Sequence, residues 1–146
     1  MGLFGRFLVD SNMLGENERG WVHIKDVYLN GPSFGGAIGT ARAFARILQD
    51  LLSTKSILLW QDTKQLLYQQ QVLNSGAEID MTLGWHMAEL AGTPYYYKEG
   101  GGAGFHTEMR IYPKNDIASV IMTNRTSFNS RKILSQLDTR FVANKI

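Results

Sequence analysis

The 146-residue sequence contains no cysteine, so disulfides, thiolate metal sites and a cysteine nucleophile are excluded together. An excess of one charge is missing too. Fifteen basic residues against 13 acidic ones leave a net +2, and the lysines and arginines are scattered rather than massed, which argues against a nucleic-acid partner. Nothing approaches the roughly 18 uninterrupted apolar residues of a membrane span. The opening MGLFGRFLVD interrupts its apolar patches with Gly5 and Arg6, so no secretory signal is read there. Arg6 also stands where a myristoylation signal needs serine or threonine. The compartment stays open, cytoplasmic being the expectation if Met1 is the native start. Only three histidines occur, His23, His86 and His106, in separate segments without ligand spacing. Neither a metal nor another cofactor is therefore expected.

What is present describes a globular protein. At 44% hydrophobic and 19% charged residues the chain has enough apolar material for one core, and a single domain over residues 1–146 is the expectation. Trp21 to Leu29 alternates loosely as a strand would. NGPSFGGAIGT then forms a loop, and Thr40 is placed to cap a helix from Ala41 that carries Phe44, Ile47, Leu48, Leu51 and Leu52 at helical spacing. A shorter helix near Asp62 is expected to turn Leu66 and Leu67 inward. From Thr82 the character changes: TLGWHMAEL, PYYYKEG, FHTEMRIYP and IASVIMTN are strand-like and joined by short connections, which means antiparallel neighbours. In FHTEMRIY, alternation sends Phe105, Met109 and Ile111 to a buried face and His106, Glu108, Arg110 and Tyr112 to a polar one. A closing helix with Asn129 or Ser130 as cap places Ile133, Leu134, Leu137 and Phe141 on one stripe. The class is α+β, an antiparallel meander of about four strands flanked by helices.

The chemical signal is concentrated in KEGGGAG, Lys98 to Gly104. A phosphate loop is excluded because a strand, not a helix, follows the glycines. A lysine at the edge of a site fixes positive charge where an oxyanion or carboxylate will sit, and glycines leave a strand amide open to close approach. The plain alternative is an ordinary glycine-rich hairpin.

Taken in order, GPSFGGAIGTARAFARILQDLL, LGWHM, YKEGGGAGFHTEMRIYP and ASVIMTN resemble the C-terminal part of the superfamily of serine β-lactamases, penicillin-binding proteins and family VIII esterases. The resemblance runs from about Asn30 to the closing helix and implies a partial β-lactamase/transpeptidase-like fold. It aligns Lys98, Glu99 and Gly100 with the family's third active-site motif, Lys-Thr-Gly or His-x-Gly. By that resemblance Lys98, Gly100 and Gly101 are the catalytic positions, with the Gly101 amide as oxyanion donor, and Glu99, Gly102 and His106 line the substrate. A glutamate in place of the motif's hydroxyl repels the carboxylate of a β-lactam, which favours neutral esters or amides, unless Glu99 points outward.

The departure is as informative. The family's nucleophile is a serine with a lysine three residues later on a helix, and no Ser-x-x-Lys occurs in this sequence. Tyr28-Leu29-Asn30 imitates the second motif but stands too late in the chain and is set aside. Two readings remain: part of a serine hydrolase whose nucleophile lies elsewhere, acting on a small ester or amide once completed, or a non-catalytic assembly module derived from one. Whether the chain is itself an enzyme stays open. Since the strand Ile117 to Thr123 pairs in the family with a strand from the N-terminal region, an open edge and homo-oligomerisation are expected.

Overall fold

The computed structural model describes residues 11–25, 35–102 and 104–143. The opening decapeptide, Tyr28-Leu29-Asn30, the first part of the glycine loop and Ala103 lie outside the described residues. The chain forms two compact units, residues 1–38 and 39–146. In the first, a 3-10 turn, Ser11–Met13, leads into a hairpin of β1 (Leu14–Glu18) and β2 (Trp21–Ile24). Arg19 and Gly20 make its turn, both with positive φ (50° and 85°), the geometry whose twist matches two antiparallel strands.

The second unit carries the core. Thr40 caps α1 (Ala41–Leu52) by accepting a hydrogen bond from the Ala43 amide, as its position before the apolar repeat predicts. Leu48 and Leu51 are the buried residues of α1, and Leu52 packs beside them, while Ile47 stays 42% exposed. The α2 helix (Gln61–Tyr68) departs from the expected inward pair: Leu67 reaches the core, but Leu66 is 55% exposed and Lys64 is buried in its place. The cause is electrostatic. The Lys64 ammonium donates to the carbonyl of Ser53, the residue that ends α1, where helix carbonyls lack partners and positive charge is favoured.

The sheet is a meander, β3 (His86–Leu90), β4 (Thr93–Gly102), β5 (Phe105–Tyr112) and β6 (Ile117–Thr123), in spatial order β3-β4-β5-β6 with every pair antiparallel. The expected α+β class is what the chain adopts. One face, with Tyr96, Met109, Ile111, Ala118 and Val120, packs with Leu48, Leu51 and Trp85 into the main apolar cluster. The opposite face is covered by α3 (Ser130–Val142) and does not meet water as the polar alternation suggested: Glu108, Arg110 and Tyr112 are 1%, 0% and 0% exposed.

That covering also rotates α3 away from the expected stripe. Its buried residues are Ser130, Leu134, Asp138 and Val142, whereas Leu137 and Phe141 are exposed. A sheet face bearing a buried guanidinium needs acceptors more than methyl groups, so the helix offers Asp138 and Ser135 and turns its phenylalanine out. Asn129, not Ser130, is the cap, its side chain accepting from the Lys132 amide.

Two buried polar atoms have no partner among the described residues, the Tyr68 hydroxyl and Thr82 Oγ1. Burial, helped by the neighbouring Tyr96, pushes the Tyr68 phenol from 10.0 up to about 12, and burial raises Tyr95, Tyr96 and Tyr112 as well. The folded chain thus holds phenolic protons more tightly than the unfolded chain. The associated stability is complete below pH 10 and is lost as pH rises toward 12. Tyr68→Phe removes a hydroxyl that has lost water and gained nothing, so urea unfolding should show a gain of about 1 kcal/mol at neutral pH. The same variant should lose stability less steeply than the parent between pH 10 and 12; an equal alkaline slope would contradict the assignment.

Candidate functional site

The site is built on an unequal pairing. The β4 strand runs ten residues, but β3 covers it only from Thr93 to Tyr97, where His86 stands opposite. From Lys98 to Gly102 the strand is paired, among the described residues, to β5 alone. Which amides this leaves free follows from the register. Leu90 and Thr93 flank the two-residue turn Ala91-Gly92 (φ 51° and 75°), and such turns are closed by a pair that exchanges both hydrogen bonds. Bonding then alternates, so odd-numbered residues of β4 bond toward β3 and even-numbered ones toward β5. The pair Gly102 and Phe105, which closes the β4–β5 register, agrees with this parity. Pro94 agrees as well: at an even position beyond the reach of β5, it forfeits no ladder bond. Glu99 and Gly101 therefore aim their N–H groups at the uncovered edge.

Side chains alternate at right angles to those amides. Lys98 pairs with Met109 and so belongs to the face of the apolar cluster; it is half-buried and has no ion pair or side-chain hydrogen bond among the described residues. Glu99 and His106 lie on the other face, under α3, with Glu99 Oε1 3.1 Å from His106 Nε2. The motif's lysine and glutamate are thereby separated by the thickness of the strand. The glycines have distinct duties. A Cβ on Gly102 would sit 2.7 Å from the Phe105 ring, and one on Gly101 3.2 Å from His106 Nδ1. Gly104 holds φ at 89° in the turn, and its amide donates to Thr126 Oγ1 at 2.7 Å.

Beneath His106 runs a hydrogen-bonded chain that the sequence did not reveal. His106 Nε2 is 2.9 Å from Ser130 Oγ, Ser130 donates to Glu108 Oε2, and Glu108 Oε1 accepts from Arg110 Nε at 2.6 Å. Arg110 reaches on to Ser135 Oγ, the Arg131 carbonyl and, at 3.5 Å, Asp138 Oδ2, which also accepts from Tyr112 and Ser119. Only partners 20 or more residues apart would have betrayed Ser130 as more than a helix start; no local spacing does.

Ser130, His106 and Glu99 superficially compose a nucleophilic triad, and the geometry refuses it. A triad sets the acid on one ring nitrogen and the serine on the other, whereas here both crowd Nε2. Ser130 is also fully buried, and its proton is committed to Glu108. No substrate carbonyl could reach it.

The sequence matches the Beta-lactamase family over residues 11–141. This chain belongs to that family, within the serine β-lactamase and penicillin-binding protein superfamily. No curated protein and no solved structure matches it. A hydrolase-like origin follows for the chain, as do small molecules as the family's substrates. No helix among the described residues is long and apolar enough to cross a membrane.

Amide exchange distinguishes the two sets of β4 amides. Glu99 and Gly101 should exchange rapidly while Lys98 and Gly100 are protected by β5; protection of Gly101 equal to that of Gly100 would show that the edge is closed.

Proposed function

We propose that this member of the Beta-lactamase family supplies the sheet side of an acyl-transfer site, with the attacking serine and its lysine contributed from outside these 146 residues. The reading rests above all on the edge of β4, where, among the described residues, the Gly101 N–H and Lys98 are both without partners on one stretch of strand. In the reaction, a serine Oγ adds to the carbonyl carbon of an ester or amide as its proton passes to the neighbouring lysine. The carbonyl oxygen becomes an oxyanion held by the Gly101 amide, and Lys98 supplies positive potential that stabilises its charge. The leaving alcohol or amine takes the proton back, and water releases the acyl group in the reverse sense. Gly100 and Gly102 keep the strand free of side chains along the substrate. Glu99 takes the place of the motif's hydroxyl donor and faces His106, so nothing there binds a substrate carboxylate; neutral esters or amides fit best.

The expected assay result has two parts. The chain alone should turn over neither a nitrophenyl ester nor a chromogenic β-lactam. Joined to a segment bearing Ser-x-x-Lys from the same family it should hydrolyse the ester, and Lys98→Ala should cut kcat by about 10²-fold or more. Full activity in the joined Lys98→Ala protein would sink the assignment.

A second reading, an assembly module, is favoured by what the second unit exposes. The outer edge of β6 has no partner strand among the described residues, and Ile57 and Trp60 are 94% and 87% exposed on a loop fastened by Asp50, which accepts from the Ser56 hydroxyl and the Ile57 and Leu58 amides. We propose self-association of the isolated chain through this open edge. Light scattering should show a mass rising with concentration, and a monomer at high concentration would count against it.

A further inference from the structure

We infer that His106 is a positioning residue that fixes the Gly101 N–H at the uncovered edge of β4; this rests on the assignment of that amide as the oxyanion donor. Beyond Tyr97 the strand has lost β3, so Lys98 to Gly102 is braced by β5 and by whatever lies against its faces. His106 stands directly opposite Gly101. By the parity derived above this is the pair without mutual hydrogen bonds, in which opposed residues approach most closely. The ring fills the space a side chain on Gly101 would need, Nδ1 lying 3.2 Å from the missing Cβ.

The ring itself is held by proton bookkeeping. The Ser130 hydroxyl has one proton and gives it to Glu108, a buried carboxylate that only accepts. Ser130 Oγ must then accept from His106, so Nε2 carries hydrogen in either charge state of the ring and shares it between Ser130 Oγ at 2.9 Å and Glu99 Oε1 at 3.1 Å. Glu99 is two residues before Gly101 on the same strand. One N–H thus ties β4 to the first turn of α3, and through Ser130 and Glu108 to Arg110 at the centre of the buried network. Phe128 closes over the ring with centroids 6.5 Å apart, and the Gly104 amide is fastened to Thr126 in the same loop. The glycine stretch, which by composition ought to be the loosest in the sheet, is clamped at its functional amide. Catalysis feels such clamping because misplacing a donor by about 1 Å costs about 10²-fold in rate.

The test uses ¹⁵N relaxation on the full 146-residue chain and involves no acyl transfer, so it fails or succeeds independently of the hydrolase reading. In His106→Ala the Gly101 amide order parameter should fall from about 0.85 to below about 0.6, with Ile111 and Val120 unchanged. His106→Gln, whose Nε2 can still donate to Ser130, should restore it. An equally ordered Gly101 in His106→Ala overturns the inference, as does an equal loss at Ile111, which would mark His106 as a general strut. If His106→Ala does not fold, Gly101→Ala asks the reciprocal question. Its methyl should push the ring off its acceptors and abolish the slowly exchanging His106 Nε2 proton signal expected of the parent; a signal equally slow in both proteins, or absent from the parent, overturns the inference.

Discussion

The guanidinium of Arg110, fully buried between sheet and helix, is the interaction on which the rest of the second unit depends. It is met by Glu108 on its own strand and by Ser135, Asp138 and the Arg131 carbonyl on α3, so that its donors are satisfied by protein alone. A buried ion pair adds little net stability over apolar residues of the same volume, but removing one partner of such a set leaves an uncompensated charge and costs about 3–5 kcal/mol. The network therefore specifies more than it stabilises. It accepts α3 in a single rotation and height, because Asp138 must meet Arg110, Tyr112 and Ser119 while Ser130 meets Glu108.

The same network fixes the register of the sheet. With a side-chain period of two, a slip of one residue in β5 would carry Glu108 and Arg110 onto the face of Leu48, Leu51 and Trp85 and put Met109 and Ile111 under Asp138. Charges would then lie in an apolar cluster with no acceptors, a penalty much larger than any gain from alternative packing. The register also sets His106 opposite Gly101, while the Leu90–Thr93 turn decides that Gly101 and not Gly100 presents its N–H at the open edge. Structure and candidate site are thus linked through strand parity.

Much of this was legible in the sequence. The capped helix at Ala41, the four-strand meander and the KEGGGAG motif are local signals, each carried by residues within one turn or one hairpin of each other. The polar face of FHTEMRIY was legible too, but its fate was not: alternation reports that two faces differ, not that the polar one faces solvent. Whether Glu108 and Arg110 meet water or a helix is decided by Ser130, Ser135 and Asp138, 22 to 28 positions later, and local periodicity carries no information on that pairing. The α3 stripe failed for the complementary reason. Ile133, Leu134, Leu137 and Phe141 form the more apolar arc, and a helix over an ordinary core would bury it; over a buried arginine the arc of Ser130, Leu134, Asp138 and Val142 wins. Lys64 shows the same override on a smaller scale, with a helix-end carbonyl outbidding the methyl groups of Leu66.

What the chain lacks is consistent with how it is built. An amine and a strand amide polarise a carbonyl without attacking it, and attack needs a hydroxyl beside a base in the same cleft. The second unit does contain serine, histidine and carboxylates within hydrogen-bonding reach of one another, yet it spends them on holding α3 to the sheet, with the serine sealed from solvent and its proton given to Glu108. On the other face Lys98 has no acid beside it among the described residues. Of the two faces, then, the one rich in reactive groups holds α3 to the sheet, and the one bearing Lys98 is the face on which the proposed acyl-transfer reading rests.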